Sequence, residues 1–270
     1  MAPGNLDGIL SRYRRLTEPS WGADLVIWPE TAVPTSYGEV QDTFGRSLAA
    51  RAAKAGTSVI TGVPTRAQGR AYNSAVTVGR QAVYHKRHLV PFGEFVPLRS
   101  LLGGMLDVFG APMSDFSAGR RVTLLPAAGY RAGIAICYEI AFGREVAAVL
   151  PGANLVINLS NDAWFGDSIG PRQHLQIARM RAIELERYVL RATNTGVTAV
   201  IDPSGRVVAR APQFEQARLV ARVSPRDGLT PYARWTNWPV LGLIGVVLVI
   251  LVAIRLARRR RSGHGADRRC

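Results

Sequence analysis

Cys137 closes the apolar run 133–136 in GIAICYEI, and the other cysteine is the terminal Cys270. Lysine occurs only at positions 54 and 86, so 32 of the 34 basic residues are arginine. A lysine in so arginine-rich a chain offers what a guanidinium does not, a compact ammonium that acts as a point charge. A thiol attacks only as thiolate and needs a base within hydrogen-bond reach, for which a carboxylate suffices. Attack on a carbonyl makes an oxyanion, which a fixed ammonium stabilises. Glu30, Lys86 and Cys137 supply base, cation and nucleophile, and each falls at or just beyond the C-terminal end of an expected strand, the edge where layered α/β folds form sites. Spacing alone therefore points to acyl transfer or amide hydrolysis. The four histidines, at 85, 88, 174 and 264, lack metal-ligand spacing, so neither a metal nor another cofactor is expected.

Each residue also has a plainer reading. Glu30 follows a proline and would serve as a turn carboxylate, Lys86 as a solvated strand terminus, and Cys137 as a small buried core residue.

The elements that must position these residues follow from hydrophobic periodicity. Residues 6–16 read as a helix, 23–30 (ADLVIWPE) as an apolar strand stopped by Pro29, 40–55 as a helix closed by Gly56, and 57–64 as a second strand. Residues 73–79 and 81–86 alternate as a hairpin, and 87–119 form a long loop of the kind that usually carries function. A strand over 131–139, a helix over 141–150 and a strand over 154–161 repeat the order. A helix from 172 to about 190 then places Leu175, Ala178, Ala182, Leu185 and Val189 on one face. Strands near 191–201, 206–210 and 217–223 finish the domain around a DPSG turn at 202–205. Alternating helices and strands with hairpins predict an α/β layered fold.

The chain has 270 residues, is 47% hydrophobic and carries a formal charge of +15. That excludes a largely disordered protein. Seven arginines between 255 and 269 account for much of the charge, the remainder is dispersed, and no recognition motif occurs, so nucleic acid is not an expected partner. Residues 235–254 carry no charge, and at ~1.5 Å rise per residue they match the ~30 Å hydrocarbon core of a bilayer. Trp235 and Trp238 mark one interface and the arginines of 255–261 the other. The positive-inside rule places the tail 255–270 in the cytoplasm and residues 1–234 on the opposite face. Two cysteines so separated do not predict a disulfide.

Three motifs together carry a resemblance. VIWPETAVP around Glu30, YHKRHLVPFGEFVPL around Lys86 and GIAICYEI around Cys137 resemble the Glu–Lys–Cys motifs of the nitrilase superfamily of carbon–nitrogen hydrolases. Residues 157–196 with the following apolar span resemble one branch, the apolipoprotein N-acyltransferases. The resemblance implies an αββα sandwich over residues 1–228, facing the periplasm of a bacterial inner membrane. It implies Glu30 as general base, Lys86 as oxyanion holder and Cys137 as nucleophile, taking an acyl chain from a phospholipid and passing it to the N-terminal amine of a diacylglyceryl apolipoprotein. Glu94 matches a second functional glutamate, and Tyr138 and Glu139 match residues needed beside the nucleophile. Trp164 and Phe165 are candidates to line an acyl pocket, with core packing the alternative. Residues 101–113 are an apolar candidate lid. A monomer is expected. The branch carries membrane helices and a core strand before this region, so the chain is expected to be N-terminally truncated.

Two other functions fit the same residues. In a membrane-tethered amidase, water resolves the thioester; in an inactive truncated domain, the pocket binds without chemistry.

Overall fold

The computed structural model describes residues 5–95 and 115–263, with side chains to Arg258. Two sheets lie face to face between helical layers, the expected αββα sandwich. The first sheet has the order β1-β2-β3-β4, formed by β1 (Leu25–Ile27), β2 (Ser58–Ala67), β3 (Arg70–Thr77) and β4 (Val83–His85). β1 runs parallel to β2, and the other two pairings are antiparallel. Gln68 and Gly69, both at positive φ, make the two-residue turn that joins β2 to β3.

The second sheet comprises β5 (Leu125–Ala127), β6 (Tyr130–Ile136), β7 (Leu155–Ser160), β8 (Val189–Thr193), β9 (Ala199–Ile201) and β10 (Val207–Arg210), ordered β10-β9-β8-β7-β6-β5. β6, β7 and β8 are parallel neighbours. Strand periodicity divides their side chains between two cores. Ile134, Ile136, Leu155, Ile157 and Leu159 meet Ile60, Ala75 and Tyr84 between the sheets. Ala135, Val156 and Val189 face outward onto Leu175, Ala178, Ala182 and Leu185 of the long helix described below. On the far side α1 (Leu6–Thr17) and α3 (Arg46–Ala55), the latter entered through α2 (Tyr37–Val40) and a π turn that carries Phe44, pack Leu10, Phe44, Leu48 and Ala52 against Val59, Val63 and Val76. Gly56, left-handed at φ 64°, ends α3 as expected.

Several boundaries differ from the sequence expectation. The strand of 23–30 is paired only over Leu25–Ile27, because Pro29 has no N–H and Thr31, at φ 52°, turns the chain away. The helix of 141–150 shrinks to α4 (Gly143–Ala147) behind a 3-10 turn at Cys137–Ala141. The helix of 172–190 is α5 (Gly170–Leu185), stopped by Glu186 at φ 52°. Val189 continued the apolar pattern because it enters the same core from β8. The strand of 191–201 is the β8–β9 pair, folded back antiparallel through residues 194–198. Residues 217–223 have no strand partner among the described residues, yet Leu219 and Val223 still pack on the core between the sheets, which is what their alternation reported.

Beyond the sandwich, α6 (Pro231–Trp235) is separated by Thr236 at φ 47° from α7 (Trp238–Gly263). Trp235 thus belongs to the short helix, and the stretch apolar enough to cross a membrane is Trp238–Arg258. An 18-residue window within it has a mean hydropathy of 2.9, and all 21 residues are exposed. The candidate lid, 101–113, lies outside the described residues.

Candidate active site

β1, β4 and β6 deliver Glu30, Lys86 and Cys137 from two different sheets. Glu30 lies three residues past β1, where Gly62 of β2 donates its N–H to Pro29 O at 3.2 Å. A Cβ on Gly62 would stand 2.6 Å from both Glu30 Cα and Pro29 O, so this approach requires glycine. The Glu30 carboxylate accepts from Asn73 Nδ2 at 2.7 Å on Oε1 and from the Asn161 N–H at 2.7 Å on Oε2.

Lys86 directly follows β4 and is 1% exposed. Its N–H donates to Asn73 O and its carbonyl accepts from Gly119 N, both at 2.8 Å. Nζ donates to Glu94 at 2.9 Å and reaches Glu30 Oε1 at 3.4 Å. Glu94 is fixed in turn by Asn73 Nδ2 at 2.7 Å and by the Val90 N–H at 2.9 Å. Burial alone would lower the Lys86 pKa, but the charges of Glu30 and Glu94 and the hydrogen bond to Glu94 leave the pKa raised. The ammonium therefore stays charged.

Cys137 leaves β6 at φ 49°. For a non-glycine residue that conformation costs ~1–3 kcal/mol and persists only where surrounding contacts impose it. Burial first, then the Glu30 charge, push the thiol up to about 12, against the opposing pull of Lys86 and a hydrogen bond with Ser160. The resting sulfur is thus a neutral thiol rather than a standing thiolate.

Glu139 joins the site as a structural clamp. Its buried carboxylate accepts from Tyr84 Oη at 2.9 Å, from the N–H groups of Arg87 at 2.6 Å and His88 at 3.1 Å on Oε1, and from Ile136 N at 2.7 Å on Oε2. It therefore ties the strand end before Cys137 to the chain just after Lys86. Burial raises its pKa, opposed by those N–H donors.

The remaining expected residues stand apart. Tyr138 is exposed, with its ring edge-on to Phe142 and His88 at 4.9 and 5.7 Å. Trp164 is 81% exposed, which excludes the core-packing alternative, and Phe165, also exposed, meets the His174 ring edge-on at 6.5 Å. Among the described residues no three His, Cys, Asp or Glu side chains gather as a metal site.

Sequence reasoning passed over Asn73, Asn158, Asp162, His174 and Arg191, all buried polar groups. One signal was available: Asn158 and Arg191 each interrupt an apolar strand, and they are register partners on β7 and β8.

Residues 3–229 match the carbon–nitrogen hydrolase family. Among curated relatives, the chain is 51% identical to the apolipoprotein N-acyltransferase of Methylococcus capsulatus over 93% of its own length and 50% of that protein's. It is 46% identical to the protein of that name from Azotobacter vinelandii, over 98% of its own length and 53% of that protein's. The chain thus spans about half the length of the curated relatives it matches. A carbon–nitrogen hydrolase superfamily protein of Xanthomonas campestris, solved with an arsenic adduct in its active site, superposes with a TM-score of 0.60 at 23% identity, over 80% of this chain and 83% of that one. By the family match, with the sandwich fold in agreement, the chain belongs to the carbon–nitrogen hydrolases.

Proposed function

We propose that the chain is the catalytic part of an apolipoprotein N-acyltransferase, with Cys137 as nucleophile, Glu30 as general base and Lys86 as the oxyanion's partner. The observation that carries this reading is the buried convergence of Glu30 and Lys86 on a thiol held at a strained strand end. The names of relatives at 44–51% identity supply the substrate class.

In the first half-reaction Glu30 takes the thiol proton as Sγ attacks the ester carbonyl of a phospholipid. Lys86 faces the resulting oxyanion. Collapse breaks the ester C–O bond, the lysophospholipid alkoxide leaves with the proton held by Glu30, and a thioester remains. In the second, the amine of a diacylglyceryl-cysteine attacks the thioester carbonyl. Glu30 takes the amine's proton, and the C–S bond breaks to return thiol and amide.

Glu94 and Asn73 orient Lys86 and Glu30, and Glu139 ties the chain after Lys86 to the strand end before Cys137. In this reading the exposed Tyr138, Trp164 and Phe165 offer apolar surface to the acyl donor. In this reading Trp238–Arg258 crosses a bacterial inner membrane, the arginine-rich end is cytoplasmic, and residues 1–228 work as a monomer on the periplasmic side. Such a tether suits a donor that leaves the bilayer only at ~0.8 kcal/mol per CH₂.

Intact mass of the full-length protein in detergent with phosphatidylethanolamine tests the reading. A hydroxylamine-labile acyl adduct, absent from Cys137→Ala and discharged by a diacylglyceryl-cysteine peptide, is expected. Failure to form that adduct would overturn it.

A further inference from the structure

A second buried polar network grips the main chain around Cys137, and the mechanism above does not use it. The carbonyl of Cys137 turns out of the sheet ladder at φ 49° and accepts from His174 Nε2 at 3.0 Å. His174 sits on α5, one turn before Ala178 on the buried stripe of that helix. Its Nδ1 lies 3.0 Å from Asp162 Oδ1 and 3.0 Å from Arg191 Nη2. Arg191 also donates to Asp162 Oδ2 at 2.7 Å, to Val197 O at 3.1 Å and to Asn158 Oδ1, while Ser160 Oγ donates to Asp162 Oδ1 at 2.7 Å. Asn158 Nδ2 then reaches Ala135 O at 2.9 Å. The network thus holds the chain on both sides of Ile136.

We propose that His174 is a positioning residue for Cys137, its Nε2–H fixing the nucleophile's main chain in the left-handed turn that presents the thiol to Glu30 and Lys86. A carbonyl only accepts, so Nε2 must carry a proton. At Nδ1 the neutral ring accepts from Arg191, and the charged ring donates to Asp162. Either way Nε2 remains a donor, so the grip on Cys137 survives a change in the ring's charge. Burial would raise the Asp162 pKa, but the hydrogen bond from His174 and the charge of Arg191 hold it lowered, so the anion that orients the ring persists. The ring edge of Phe165 meets the same imidazole.

This inference rests on Cys137 being the nucleophile, and its test separates the two. The full-length protein in detergent is followed by intact mass for acylation from phosphatidylethanolamine, and by iodoacetamide modification of Cys137 across pH, in wild type, His174→Gln, His174→Asn and His174→Leu. Gln places an amide N–H where Nε2 lies, whereas Asn stops one bond short. H174Q is expected to retain most of the wild-type acylation rate, with H174N and H174L slowed about 100-fold by misplacement of the sulfur, at unchanged donor KM. Their alkylation profiles are expected to move toward the ~8.5 of an unconstrained thiol. The groups that set that profile are Glu30, Lys86, Ser160 and Asp162, with Arg191 beyond them.

Equal rates and profiles in all four proteins would overturn the proposal, and so would an H174Q as slow as H174L, since the ring would then act only as packing. If H174L does not fold, the Gln and Asn pair carries the comparison. If wild type takes no acyl group, the acyl-transfer reading fails while the alkylation arm still decides: a profile unchanged in H174N overturns the role of His174, and a shifted one rescued by Gln supports it.

Discussion

The Lys86 ammonium donates to Glu94 at 2.9 Å, closer than its 3.4 Å approach to Glu30. A carboxylate from the segment after β4 is therefore the nearest charge to Nζ, and it draws the ammonium partly off the base. Glu94→Gln should let Lys86 close on Glu30 and weaken it as a proton acceptor. The expected result is a loss of about 10²-fold in Cys137 acylation with a small change in Tm, read by mass-based rates and calorimetry. A wild-type rate in E94Q would remove Glu94 from the site.

Lys86→Met leaves Glu30 and Glu94 buried without their cation. Breaking a buried pair from one side costs ~3–5 kcal/mol, so urea unfolding should show a large drop in midpoint together with loss of acylation. Lys86→Arg should not rescue either, because a planar guanidinium does not reproduce the compact point charge that the buried ammonium places between Glu30 and Glu94.

Glu30→Gln should move two readouts in opposite directions. After burial, the Glu30 charge is the next cause holding the thiol pKa up, so its neutralisation lowers that pKa and speeds iodoacetamide modification at pH 8. Acylation, deprived of its base, should fall by ~10²–10⁴. Parallel changes in both rates would show that Glu30 acts only through packing.

Tyr84→Phe removes one donor to Glu139 and should cost about 1 kcal/mol in denaturant unfolding. Glu139→Ala leaves the N–H groups of Ile136, Arg87 and His88 without their acceptor, and should cost roughly 3 kcal/mol or more. Similar small losses in both would mean that water replaces the clamp.

Trp164→Ala should leave stability within ~0.5 kcal/mol of wild type, since the ring is exposed. Its expected effect is on association with phospholipid vesicles, measured by sedimentation, with the acylation rate at saturating donor unchanged. Unaltered vesicle binding would leave the residue without a role at the lipid surface.

Much of this protein is written locally. A thiol after an apolar strand, a lysine in an arginine-rich chain and a glutamate after Trp-Pro are legible because each lies at a strand end, and period-two and period-3.6 patterns mark those ends. The same patterns misplaced the end of α5, because Leu185 and Val189 enter one core from two different elements, and they merged β8 and β9 into one strand. Periodicity reports burial, not which element provides it.

From the sequence alone came the layered α/β class, the apolar C-terminal helix and the residue types of the site. Tertiary structure decided who holds whom. Asn73 joins Glu30 to Glu94, Glu139 binds the chain after Lys86, and His174 grips Cys137 from 37 residues away. None of these pairings follows from spacing, because each is made between elements that meet only once the two sheets and α5 have packed. What compels them is the low-dielectric interior created by that packing, where every buried charge and strand-end carbonyl must find a partner.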